Sequence, residues 1–469
     1  MNKKQDTLFM IFLSAIAHLY PKALVKHEGA FSSGMYLEID GLEINETICL
    51  NIKQQMGRYI LNDEAIHQVV VDEEEQLKIF KKHKMFHSVA LWQQKSNQKR
   101  RLFELDGYYS YFLDELDQHC NVIETFFIYP YQQGIWLSLH DDFKPQAKLF
   151  EAFQNGQQWG DLVKVSYIDE LNDCVKNNTL DELVLMSETL YEVNLYEIAK
   201  DIVKKADIKF VLIAGPSSAG KTTTSKRLCN HLKLLGKKPI TIEMDAFYKT
   251  NDQIPIMANG QRDFEGFDAF DDQLFNETLV KLLNHEAVHM PIYLFGKGIR
   301  LFEEEPLQLK QDQILIIEGI HGLNPKATSQ ISDDRKYKIY INALTHINVS
   351  EHERIQTNEI RLMRRMYRDM LFRNTTIEKT LQMWDNVRKG ESENIFPYQE
   401  EANKILNTSL CYELPILKYY LQPHLEQITL EDERLSRIKT IFTFVEASNS
   451  QALPKHSILA EFIGNSIFK

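Results

Sequence analysis

Between residues 208 and 343 the chain alternates short apolar runs with stretches whose apolar residues recur every third or fourth position. The runs Phe210–Ala214, Ile240–Met244, Ile314–Glu318 and Lys338–Ala343 have strand length, and helical spacing fills the gaps between them. Strands that alternate with helices predict an α/β fold: a parallel sheet flanked by helices. Upstream, Leu180–Lys205 carries Leu183, Leu185, Leu190, Val193, Ile198 and Ile202 at helical spacing, which predicts a long helix packed between the two halves. The front of the chain has a different texture. The apolar stretch Leu8–Leu19 precedes strand-like pieces at Gly34–Asp40, Thr125–Ile128 and Ile135–Leu139, the pattern of a smaller α+β domain.

At 469 residues the chain is long for one core. The pattern divides it into residues 1–145 (the α+β domain), 146–207 (a helical connector), 208–424 (the parallel α/β domain) and 425–469 (a C-terminal helical tail ending irregularly). Apolar residues make up 43% and aromatics 11%, enough to bury substantial cores. Lys plus Arg number 54 against 66 Asp plus Glu, a net charge of −12 that argues against coating nucleic acid. The five cysteines are scattered, with no CxxC or Cys/His cluster, as expected of reduced thiols in a cytoplasmic protein. Lys3-Lys4 before Leu8–Leu13, with Ala15-Ile16-Ala17 behind, has the outline of a secretory leader. Asp6 and the shortness of the apolar core oppose that reading. No run approaches the ~18–20 apolar residues of a membrane span.

The strand at Phe210–Ala214 runs directly into Gly215-Pro216-Ser217-Ser218-Ala219-Gly220-Lys221-Thr222-Thr223, a full GxxxxGK[ST] pattern, and helical spacing follows (Leu228, Leu232, Leu235). Glycines at 215 and 220 let the backbone wrap a phosphate with its N–H groups turned inward, and the helix start adds its positive end. Lys221 can reach the β- and γ-phosphates, and the Thr222 hydroxyl can bind Mg²⁺. These residues predict an ATP site. No NKxD-like element that would read guanine is present, so a small-molecule kinase fits better than a GTPase.

Asp245 follows a predicted strand at the sheet end where ligands gather. From position alone it is either a base that takes a hydroxyl proton or a helix N-cap. Glu318 closes the apolar Ile314-Leu315-Ile316-Ile317 and is a candidate Mg²⁺ ligand. Arg361, Arg364, Arg365, Arg368 and Arg373 crowd one stretch, several on one helical face. One reading makes them a lid over the triphosphate, with Arg364, Arg365 and Arg368 catalytic and Arg361 toward the substrate. The other makes them a solvated face paired with Glu353, Glu359 and Asp369.

With those residues in hand, residues 208–424 resemble the uridine kinase and phosphoribulokinase family. The resemblance rests on GPSSAGKTT, MDAFY at Asp245, RDFEGFDAFD at 262–271, IYLF at 292–295, IIEGIHGLN at 316–324 and EIRLMRRMYRDMLFR at 359–373. It implies a P-loop kinase that phosphorylates a ribonucleoside or sugar-phosphate hydroxyl with ATP and Mg²⁺, and it assigns the base role to Asp245. Beside it stand two readings of Tyr293, a base-pocket wall or an aromatic core residue, and two of Glu265 and Asp268, ribose binders or solvated loop carboxylates. The histidine that follows the Tyr-x-Phe element in such kinases is missing from Tyr293–Arg300. IEGIHGLN and the ending SILAEFIG resemble a longer bacterial subfamily with a front domain similar to the second editing-type domain of threonyl-tRNA synthetase. Residues 1–17 lack the HxxxH pair of that domain and Leu105 stands near its cysteine position, so an inert front domain is expected, with His18 a packed helix residue. The expectation is a cytoplasmic nucleoside kinase with no membrane or nucleic-acid partner; a homo-oligomer stays open. Two alternatives stand beside it: a kinase of a sugar phosphate or another small alcohol, and an ATP-dependent regulatory or RNA-associated module.

Overall fold

The computed structural model describes residues 3–95, 100–257, 260 and 262–468. Its centre is a five-stranded, wholly parallel sheet in the spatial order Lys404–Asn407, Lys336–Asn342, Phe210–Ala214, Gln313–Glu318, Lys238–Glu243. Phe210–Ala214 is buried at every position, which is why five apolar residues stand in a row there: helices cover both faces. Its pairing with Gln313–Glu318 sets Glu318 opposite Ile213, so the loop after one strand and the carboxylate ending the next lie side by side.

The predicted strands are all present, with ends shifted by a few residues. After residue 208 the edge strand Lys404–Asn407 and the antiparallel hairpin Pro291–Leu294/Ile299–Phe302 went unpredicted, as did the strands Leu24–Phe31, His67–Val71, Arg100–Leu105 and Tyr108–Ser110 nearer the front. The edge strand is short and the hairpin interrupts its apolar pattern with Gly296-Lys297-Gly298.

The front of the chain is built on two antiparallel sheets. One has four strands (Leu24–Phe31, Gly34–Asp40, Gly134–Ser138, Phe127–Tyr131 in spatial order), the other three (His67–Val71, Arg100–Leu105, Tyr108–Ser110). The helix Lys3–Leu19 buries Leu8 to Leu13 in a core shared with Ile52, Met56, Phe103, Phe112 and Ile135. His18 is not packed inside it. The side chain is half-exposed, with Nδ1 3.0 Å from the Asp106 carboxylate.

The connector helix spans Leu180–Lys204 as expected, but its buried face is turned from the predicted one. Leu185 and Val193 are exposed, while Val184, Ser187, Tyr191 and Leu195 face inward with Leu183, Ile198 and Ile202. Polar partners cause the shift. Tyr191 Oη lies 2.7 Å from Thr224 Oγ1, and the buried Arg227 sits over the Tyr191 ring while pairing with Glu188 and Glu192. The connector thus clamps the helix Lys221–Leu234 that follows the phosphate loop. At the other end of the chain, Ile458–Ile463 forms a buried helix where irregular tail was predicted. Among the described residues, no helix is long and apolar enough to cross a membrane.

Candidate active site

Two backbone positions shape the phosphate loop. Ser218 has φ 59° and Gly220 φ 88°, left-handed conformations that turn the chain tightly into its helix. A Cβ on Gly215 would strike the Ile341 carbonyl, so the loop can leave the sheet only through glycine. The backbone N–H groups of Gly220, Lys221 and Thr222 have no protein acceptor among the described residues, and the buried Ser218 hydroxyl has none either. Lys221 Nζ folds back to donate to the carbonyls of Gly215 (2.9 Å) and Pro216 (3.1 Å). Burial holds its ammonium below the usual lysine range, against the pull of Glu318 and Asp245.

Asp245 lies in the single turn Met244–Phe247 after the strand Lys238–Glu243 and caps nothing; its carboxylate has no hydrogen-bond partner among the described residues. Burial raises its pKa, and Lys221 opposes the rise. Glu318 is buried, with the Thr222 side chain close enough to act on its carboxyl. Burial pushes that carboxyl up to about 8, against Lys221 and the Thr222 side chain. A hydroxyl and a carboxylate beside a phosphate loop suit Mg²⁺, which takes oxygen ligands and completes its shell from phosphate and water. Among the described residues no group of three or more His, Cys, Asp or Glu is placed to hold a metal unaided.

Residues 210–412 match the model of the Phosphoribulokinase / Uridine kinase family. The match covers less than half of the chain and marks that part as a P-loop kinase domain, a phosphotransferase. Among curated relatives, the uridine kinase of Anoxybacillus flavithermus is 27% identical over 195 residues, 41% of this chain and 83% of the relative. That of Leuconostoc citreum is 28% identical over 195 residues, 41% of this chain and 84% of its own. A solved structure of a possible uridine kinase from Bacillus stearothermophilus overlaps 45% of this chain and 97% of its own, at 15% identity and TM-score 0.30.

In this kinase domain the arginine helix, Thr357–Phe372, is neither a free lid nor a solvated face. Arg361 is 0% exposed; its Nε donates to the Ser217 carbonyl (2.8 Å) and its Nη2 pairs with the buried Glu391. Arg364, also 0% exposed, donates to Glu413 (2.7 Å) and to the Thr408 carbonyl (2.8 Å). Both guanidiniums are engaged by loop carbonyls and buried acids, in place of the substrate contact expected of Arg361 and the catalytic contact expected of Arg364. Arg365 and Arg368 differ. Arg365 Nη1 donates to Ser217 Oγ (2.7 Å) and both share Asp369, while the fields of Arg361 and Arg368 both reach Lys221. Arg373, exposed at the helix end, adds a small pull against the rise that burial causes at Asp245.

Beyond Asp245 lies an aromatic group: Tyr248, Phe264, Tyr293 and Phe295, with centroids 4.9–6.1 Å apart and mostly edge-on. Tyr293 donates to Asn251 Oδ1 (3.1 Å) and Tyr248 to the Phe264 carbonyl (2.9 Å). Glu265 is half-buried nearby, its carboxyl pushed up to about 7 by burial against the field of Arg365. Asp268, by contrast, is exposed, with no side-chain partner among the described residues. His321, hidden inside the IIEGIHGLN element, packs against Phe267 and Phe270, and burial holds it down to about 4. In sequence it lies 28 residues beyond Tyr293, far from the position just after the Tyr-x-Phe element where the resemblance places a histidine.

Two further residues went unnoticed in the sequence. Glu391 Oε1 accepts from the Ser217 N–H (3.0 Å), and Glu461 Oε2 accepts from both the N–H (3.2 Å) and the hydroxyl (2.6 Å) of Thr223. Both are acids on a loop built for anions. The only local hint was SILAEFIG, which carries Glu461.

Proposed function

We propose that the chain is an ATP- and Mg²⁺-dependent kinase that transfers the γ-phosphoryl group to the 5′-hydroxyl of a ribonucleoside of the uridine or cytidine type. One observation carries the reading: an unpartnered carboxylate, Asp245, lies within the electrostatic reach of Lys221 in the phosphate loop and of Tyr248 in the aromatic group. The uridine kinases among the relatives support the choice of acceptor. In this reading Lys221 leaves its own loop carbonyls for phosphate oxygens, and the free N–H groups of Gly220 to Thr222 cradle them. Arg365 and Arg368 stabilise the charge that develops on the transferring group. Asp245 orients the acceptor hydroxyl and takes its proton, and Glu265 holds the ribose. Thr222 and Glu318 would hold Mg²⁺, which supplies charge neutralisation on the phosphate oxygens. The front domain is taken as a relative of the synthetase editing domain without its chemistry; Leu105 is packed in the apolar core there and offers no nucleophile.

The test is ADP formation with a panel of nucleosides, sugar phosphates and no acceptor, beside nucleotide binding in the same preparation. Turnover dependent on uridine or cytidine, and lost in Asp245→Asn, is expected. Turnover confined to sugar phosphates would replace the acceptor. Nucleotide binding without turnover on any acceptor would sink the kinase assignment.

A further inference from the structure

Behind the arginine helix, where the front domain meets the kinase domain, lies a cavity of about 430 Å³. The front domain contributes Asp6, Phe31 and the Ser32-Ser33 turn, and the kinase domain contributes Arg354, Arg361 and Arg388. No phosphate-loop residue lines it, nor do Asp245 and Glu318. A volume above about 300 Å³ is in the range of small-molecule sites.

The polar groups around it are unfinished. Arg354 is 7% exposed; its Nη2 donates to the Thr345 carbonyl (2.8 Å) and its plane lies 4.9 Å from the Phe153 ring centroid. Its Nε has no hydrogen-bond partner, and Glu28 and Glu359 act on it through their fields, with no ion pair to Arg354 within 4 Å among the described residues. A buried guanidinium with no carboxylate in contact is costly, and proteins generally supply it with a partner. Arg361 Nη1 is likewise unpartnered, and Arg361 and Arg388 share a single carboxylate, Glu391. Asp6 pairs with none of these guanidiniums: its Oδ2 is buried and unpartnered, and burial raises its pKa. Asn358 Oδ1 is a further buried acceptor left open. Phe31, Phe153 and Phe396 add aromatic walls.

Unfilled guanidinium donors, buried polar atoms left open and aromatic walls together describe one kind of guest. We propose that this seam is a second ligand site, for a small organic anion with a phosphate or carboxylate head on a ring-bearing body. The guest neutralises Arg354 and the free edge of Arg361. Its occupancy reaches the phosphate loop through Arg361, whose opposite edge holds the Ser217 carbonyl, and through Glu391, which accepts from the Ser217 N–H.

The experiment is calorimetry on the full chain with ADP and Mg²⁺ saturating the phosphate loop, titrating phenyl phosphate in one arm and benzoate in the other. Binding in at least one arm is expected, roughly tenfold weaker in Arg354→Met. Which arm binds tells phosphate from carboxylate. Arg388→Gln, at a partly exposed position, should weaken binding several-fold and serves if Arg354→Met does not fold. Binding should persist in Lys221→Ala, which separates this site from the phosphate loop. Without added ligand, the melting temperature of Arg354→Met should stay at or above that of wild type, because an unpaired buried charge is removed. No binding in either arm, or equal binding by wild type and the Arg354 and Arg388 variants, overturns the site. Binding that leaves ADP affinity unchanged overturns its link to the loop.

Discussion

The two sides of the phosphate loop are built from the same residue types to opposite ends. Behind it, Arg361 and Arg364 each have a buried carboxylate, Glu391 and Glu413, and each holds a backbone carbonyl as well. In front, Lys221, Asp245 and Glu318 share a small space with no ion pair between them within 4 Å among the described residues. Paired charge makes a rigid support. Unpaired charge, held together by the fold, is poised for a substrate that completes it. The difference lies in partners and not in residue type, so substitutions on the two sides should fail in different ways.

The largest effect is expected in front. Asp245→Asn keeps the shape but cannot take a proton, so kcat should fall by roughly 10²–10⁴. ADP binding and melting temperature should hold. Turnover close to wild type would reduce Asp245 to a bystander. Behind the loop, Arg364→Ala strands Glu413 in the core and should cost about 3–5 kcal/mol of stability in denaturant unfolding. A variant as stable as wild type would show that the support does not depend on this pair. Arg365→Ala tests the boundary between the sides: kcat should drop about tenfold or more, with a smaller change in KM and little loss of stability.

This division could be read only partly from the sequence. The apolar run Phe210–Ala214, the loop after it and the acid closing Gln313–Glu318 are local signals, and the structure places them together. The arginines are a local signal as well, but their acids are not: Glu391 follows Arg361 by 30 residues and Glu413 follows Arg364 by 49. Without those partners, a cluster of guanidiniums reads as a surface or a lid. The connector helix misled for a related reason. Its apolar count favoured Leu185 and Val193, whereas Ser187 and Tyr191 are drawn inward by partners on other elements.

A pH scan sharpens the comparison further. Glu265 titrates near 7 in the fold against 4.5 ordinarily, because burial outweighs the field of Arg365. A carboxyl with a raised folded pKa binds protons more tightly in the native state, so its contribution to stability is full below pH 4.5 and is lost as pH rises through about 7. Glu265→Gln cannot ionise. Its melting temperature relative to wild type should therefore climb between pH 4.5 and about 7. A difference that stays flat across that window would mean that Glu265 is solvated and ordinary.

The smallest effect concerns Glu461, which belongs to neither side. Its carboxylate reaches Thr223 from the C-terminal helix 238 residues away, and Ile458 of the same helix packs so closely that a Cβ on Gly220 would strike it. A carboxylate at a helix N-terminus is favourable in itself, since it meets unpaired N–H groups and the positive end of the helix. For a triphosphate the same group is a competitor: it occupies two donors and adds negative charge, and it also raises the pKa of Glu318. Glu461→Gln retains an acceptor oxygen and removes the charge. If the contact serves only to cap the helix, the variant should melt slightly lower and bind ADP as wild type does. The expected result is instead a gain in ADP affinity of roughly three- to tenfold, about 0.7–1.4 kcal/mol, with at most a small loss of stability. The gain should be larger without Mg²⁺ than with it, because the metal offsets part of the repulsion between carboxylate and phosphate. Equal affinities in wild type and variant, with and without the ion, would leave Glu461 as a helix cap and nothing more.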